Sequence, residues 1–129
     1  MSRDSASMIR VGLVDDDLSV LRAVGRMLRT YGYSCSTYDS GESALADPEI
    51  SQVDCLIVDV HLGGINGFEL CNRLRALGFL IPHVFITAQI ESNFAQSSRR
   101  ADNSIVLTKP FEEEQLIASI ESAIADRRE

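Results

Sequence analysis

Strand-like and helix-like patterns alternate five times along this chain, and that alternation limits the fold more than any other feature. Arg10–Val14, Asp54–Val58, His83–Thr87 and Ser104–Leu107 are short apolar runs, as expected of parallel strands covered on both faces. Ser34–Tyr38 is more polar and reads as an edge strand. Helical spacing fills the intervals. Val20, Val24, Met27, Leu28 and Tyr31 share one face ahead of Gly32, a short helix spans about Ser40–Asp47 before Pro48, and Leu70, Leu74 and Leu77 line a third ahead of Gly78. Leu116, Ile117, Ile120, Ala123 and Ile124 mark a last helix, whose acidic start (Glu112–Glu114) and basic end (Arg127, Arg128) suit the helix dipole. The fourth helical segment, Ser92–Arg100, has only Phe94 and Ala95 as apolar anchors, so it is expected to be mobile or moulded by a partner. Five βα units with short connections predict an α/β fold, doubly wound about an open parallel sheet.

In such sheets ligands bind beyond the carboxyl ends of the strands, where strand order reverses. The residues delivered there are chemically particular. Asp15-Asp16-Asp17 follows the first strand, Asp59 the third, Thr87-Ala88 the fourth and Lys109-Pro110 the fifth. Like charges gathered at the ends of buried strands cost free energy unless a cation sits among them. Three carboxylates suit Mg²⁺, which takes oxygen ligands and keeps several waters. Thr87 as a donor and Lys109 as a point charge suit a phosphoryl group. A carboxylate beside such a metal is equipped to become an aspartyl phosphate. Asp17 reads as a helix cap or a solvated acid.

A chain of 129 residues is expected to form one domain. Its 45% hydrophobic and 24% charged content is ordinary for a globular protein. The net charge of −7 argues against binding nucleic acid or an anionic membrane. No apolar stretch is long enough to span a bilayer, and the first residues lack the apolar core of a signal peptide, so the cytoplasm is the expected compartment. Cys35, Cys55 and Cys71 lack metal-ligand spacing; Cys55 and Cys71 read as small buried hydrophobes.

Five segments then carry a resemblance: Leu13-Val14-Asp15-Asp16-Asp17, Leu56-Ile57-Val58-Asp59, Gly64-Ile65-Asn66-Gly67, Phe85-Ile86-Thr87-Ala88 and Leu107-Thr108-Lys109-Pro110-Phe111. In order and spacing they resemble the receiver domain of two-component response regulators, over about residues 9–125, and look most like receivers of FixJ-type transcriptional regulators. The resemblance implies the flavodoxin-like (βα)5 fold with strand order 2-1-3-4-5. Residues 1–8 would then be a flexible tail, and residues 126–129 a second tail or the start of a linker.

It also implies roles. Asp59 would be the phosphoacceptor, taking a phosphoryl group from the phosphohistidine of a sensor histidine kinase or a phosphotransfer protein. Asp16 would bind Mg²⁺ directly and Asp15 mostly through water, with Asp59 and the main-chain carbonyl of His61 completing the set. Thr87 and Lys109 would each hold a phosphoryl oxygen, with the Lys109-Pro110 bond cis. His61 and Gln89 would influence phosphate lifetime. Output would pass through a face made by the fourth helix, fifth strand and fifth helix, at which two copies could also pair.

Three positions depart from the family pattern. Val106 replaces the usual aromatic residue three before the lysine, and a β-branched valine cannot swing as tyrosine does. Leu62-Gly63-Gly64 lacks a common proline, giving a looser loop, and Asp102 replaces a common glycine.

Two other readings compete with this one. A Mg²⁺-dependent phosphohydrolase of the haloacid-dehalogenase kind would use Asp15 as its nucleophile, within Asp15-Asp16-Asp17-Leu18-Ser19. That scheme leaves Asp59 without a role. A degenerate receiver would keep the fold as a binding or dimerisation platform without a switch. The phosphoreceiver, a signalling module and no enzyme of metabolism, accounts for the most residues.

Overall fold

The computed structural model describes residues 8–88 and 105–128. Five parallel strands, β1 (Arg10–Val14), β2 (Ser34–Tyr38), β3 (Cys55–Asp59), β4 (His83–Thr87) and β5 (Ile105–Thr108), form one sheet in the order β2-β1-β3-β4-β5. The helices are α1 (Leu18–Thr30), α2 (Gly41–Ala46), α3 (Gly67–Ala76) and α4 (Glu113–Arg128), with a 3₁₀ turn at Ile50–Gln52. The expected helix at Ser92–Arg100, together with Gln89, Asp102 and Ser104, lies outside the described residues. The polar second strand is an edge, as its composition predicts. The third strand sits one residue further along than predicted, and the fifth runs one residue further, through Thr108. Asp59 is therefore the last residue of β3 and not the first beyond it.

The apolar strands are unbroken because alternate residues enter two different cores. From β3, Leu56 and Val58 pack with Val14, Phe85, Leu70 and Leu74 on one face. Cys55 and Ile57 pack with Val11, Leu13, Val84, Ile86, Leu28, Leu116 and Ile120 on the other. Each large side chain so buried contributes about 1.5–3 kcal/mol, which holds the strand ends in fixed register. Val14 pairs with Val58, Asp59 with Ile86 and Thr87 with Thr108. Val106, opposite Phe85 in β5, packs partly buried against the first of these cores. Among the described residues no helix is long and apolar enough to cross a membrane.

Local signals set the helix limits. Asp17 caps α1 by accepting from the Ser19 N–H (2.9 Å), Ser40 caps α2 through Ser43 and Asn66 caps α3 through Glu69. At their far ends, α1 and α3 close in the same way. Gly32 (φ 95°) and Gly78 (φ 91°) take left-handed conformations, and the next N–H, of Tyr33 or Phe79, returns to the carbonyl of Leu28 or Leu74. Tyr31 and Leu77, predicted on apolar faces, are instead the C-cap residues and stand 45% and 61% exposed. The reversal after each helix begins at these positions, so the helical period no longer fixes where their side chains point.

Candidate phosphoryl and metal site

Asp15, Asp16 and Asp59 each offer a carboxylate oxygen within 4.8 Å of the others. Two adjacent strands bring them together. Asp15 continues the line of β1, its N–H donating to the Tyr38 carbonyl (3.1 Å), and Asp59 closes β3 beside it. Asp15 and Asp59 are buried, whereas Asp16 is exposed. Burial raises the Asp15 carboxyl above its usual range; the Asp17 N–H (2.9 Å from Oδ1) opposes this, the Asp59 charge adds to it and Lys109 opposes it.

Lys109 enters from the end of β5. Its Nζ lies 3.2 Å from Asp59 Oδ2 and 3.6 Å from Asp15 Oδ2. Partial burial pulls the ammonium pKa down, but the two carboxylates outweigh that, so the net shift is upward. The Lys109-Pro110 peptide bond is cis. Thr87 is buried at the end of β4, and its carbonyl accepts from the Lys109 N–H at 2.8 Å. On the opposite side the His61 N–H donates to Asp59 Oδ1 (2.8 Å). Asp59 is thereby held by a main-chain donor on one oxygen and an ammonium on the other. The His61 side chain is exposed, which leaves its main chain as the part of the residue engaged with Asp59.

Gly67, first residue of α3, approaches so closely that a Cβ there would lie 2.7 Å from the Asp59 carbonyl oxygen. Gly64 takes φ 73°, a conformation glycine adopts without steric cost. Two contacts in this loop escape sequence reasoning. The Gly63 N–H donates to Asp16 Oδ2 (3.3 Å), and the Ile65 N–H donates to Glu42 Oε2 (3.2 Å). Nothing in the pattern separates Glu42 from any acid placed in a first helical turn to complement the dipole.

The donor set fits a hard divalent cation. Three carboxylates converge, two of them buried, and among the described residues one ammonium offsets only part of their charge.

Comparison with known proteins agrees with this geometry. Residues 11–121 match the family model of the response regulator receiver domain. The response regulator protein TodT of Pseudomonas putida is 34% identical over 121 residues, covering 94% of this chain and 52% of TodT. The heme response regulator HssR of Staphylococcus aureus is 32% identical over 117 residues, covering 91% of this chain and 52% of HssR. The chain thus spans about half the length of these relatives. Among solved structures, the chemotaxis protein CheY4 of Vibrio cholerae superposes with a TM-score of 0.83 at 27% identity, covering 91% of this chain and 99% of CheY4. A CheY-like receiver from Methanospirillum hungatei, at 21% identity and TM-score 0.84 over 95% of this chain and 98% of its own, shares the fold. By sequence and by fold, the chain belongs to the response regulator receiver domain family.

Proposed function

We propose that residues 9–125 form a phosphoreceiver that takes a phosphoryl group from a histidine kinase, or from a phosphotransfer protein, onto Asp59. The observation that carries this reading is the setting of Asp59. It is a buried carboxylate at a strand end, oriented by the His61 N–H and Lys109 and flanked by two further acids. In the transfer, an Asp59 carboxylate oxygen attacks phosphorus as the phosphorus–nitrogen bond of the phosphohistidine breaks. The bond's electron pair leaves with the imidazole.

Asp15, Asp16, Asp59 and the main-chain carbonyl of His61 would hold Mg²⁺, which when bound supplies charge neutralisation at the phosphoryl oxygens. The chain's own residues do the rest. Lys109 offers its ammonium to one phosphoryl oxygen, and the Thr87 hydroxyl donates to another. Near-complete burial of Asp59, Asp15 and Thr87 limits the approach of water to the acyl phosphate, and His61 and Gln89 would modulate its lifetime. The phosphoryl group passes from the histidine of one protein to Asp59 of this one, so the domain signals and turns over no metabolite. Its place of action would be the cytoplasm. The signal would leave through the face around β5 and the last helix, by partner binding or pairing of two copies and without nucleic-acid or membrane contact by this domain.

The test is intact-protein mass spectrometry after treatment with acetyl phosphate and Mg²⁺. One added phosphate is expected, and none in Asp59→Asn or in chelator. Wild-type levels of phosphate on folded Asp59→Asn protein would overturn the assignment.

A further inference from the structure

We infer that Glu42 is a positioning residue for this site, holding the loop between β3 and α3 in the shape the site uses. Three observations meet there. The Glu42 carboxylate accepts the Ile65 N–H through Oε2 at 3.2 Å. The same carboxylate lies against the Gly64 Cα, since a Cβ at Gly64 would sit 2.5 Å from Oε2 and 3.1 Å from Oε1. One residue earlier, Gly41 is in such close contact with the buried Ile65 side chain that a Cβ there would lie 2.6 Å from Ile65 Cγ1. Adjacent residues of α2 therefore grip Ile65 twice, once by its main chain and once by its side chain.

The loop so gripped is tied to the site by two further main-chain donors. The His61 N–H bonds Asp59, and the Gly63 N–H bonds Asp16 at a longer 3.3 Å. Both of these acceptors belong to the acid cluster, so both contacts are exposed to whatever the cluster binds. The Glu42 contact uses none of those carboxylates, so engaging them does not consume its acceptor. It fixes the backbone on which the His61 carbonyl and the Gly63 N–H are presented. It also gives Gly64 a reason to lack a side chain beyond its positive φ, because a methyl there would displace the Glu42 carboxylate.

The consequence for Mg²⁺ rests on the function proposed above; the consequence for the loop does not. The test uses the full chain and three variants: Glu42→Ala, the acceptor-retaining Glu42→Gln, and Gly64→Ala. In metal-free protein, amide exchange followed by NMR should speed up at Gly63 and Ile65 in Glu42→Ala and Gly64→Ala, while β1 and β3 amides keep wild-type rates. Mg²⁺ affinity by calorimetry should fall about tenfold in the same two variants. Glu42→Gln should restore most of both. Wild-type exchange at Gly63 and Ile65 in Glu42→Ala would overturn the inference, as would faster exchange there with unchanged Mg²⁺ affinity. Failure of Asp59 to accept phosphate would instead remove the proposed function and leave the exchange result standing.

Discussion

Replacing Lys109 by methionine removes one charge while keeping a chain of similar length, which makes it a sharp probe of how the acid cluster is held. Nζ lies 3.2 Å from Asp59 Oδ2 and 3.6 Å from Asp15 Oδ2. At an effective dielectric of about 20, each contact corresponds to roughly 5 kcal/mol of attraction. About a third of the lysine side chain is exposed (32%), so solvent screens part of this, and the desolvation of the ion pairs offsets much of the remainder. The net loss in Lys109→Met should be about 2 kcal/mol, below the usual cost of orphaning a fully buried charge.

Urea unfolding at neutral pH in chelator measures it. Two controls identify its origin. Mg²⁺ should return more stability to the variant than to the wild type, because a cation among the carboxylates replaces the missing charge. Acidification should also shrink the deficit. The Asp15 pKa is already raised by burial, and rises further without Lys109, so its proton returns early as pH falls. A deficit of the same size in chelator, in Mg²⁺ and at low pH would refute the reasoning and assign the loss to packing of the lysine stem.

Three further outcomes are expected. Gly67→Ala should cost about 2 kcal/mol in urea unfolding, because its Cβ would lie 2.7 Å from the Asp59 carbonyl oxygen and neither backbone can yield cheaply; a neutral result would show that α3 can slide. Burial holds the His83 imidazole below its usual 6.5, aided by Arg75 and opposed by the Ile81 carbonyl, so the unfolded chain binds the proton more readily. The stability this group contributes is full above pH 6.5 and is lost as pH falls through the lowered folded value, and His83→Gln should flatten that part of the stability profile. Burial pushes the Cys55 and Cys71 thiols up to about 12, so at pH 7.5 a thiol reagent should modify the less buried Cys35 first and reach the other two only on unfolding.

Much of this was legible in the sequence because parallel strands covered on both faces leave a crude signal. Runs such as Cys55-Leu56-Ile57-Val58 admit few other placements, and acids at their ends have nowhere to go but the edge of the sheet. Reading failed where an interaction is made by the backbone. Gly32 and Gly78 mark the ends of α1 and α3 correctly, but the reversal at those glycines turns Tyr31 and Leu77 outward, so a period of 3.6 continued through them assigns the wrong face. Glu42 was illegible for a related reason. Its partner is an N–H, which every residue but proline carries, and only folding decides which N–H it meets. The one-residue offset at β3 has the same origin, since a strand's last hydrogen bond depends on its neighbours and not on its own composition.

The hydrogen bond from the Lys109 N–H to the Thr87 carbonyl makes the rims of β4 and β5 a single lever. The residues whose side chains would grip a phosphoryl group are joined behind it by this main-chain hydrogen bond, so displacement of one backbone would strain the other. A partner that clasps β5 and shifts it by a fraction of an ångström would displace both grips at once. By reciprocity, a phosphoryl group that draws in both grips would tilt β5 toward or away from that partner by the same free energy. Information would then run both ways along two strand ends, with no need for an aromatic side chain to swing at position 106.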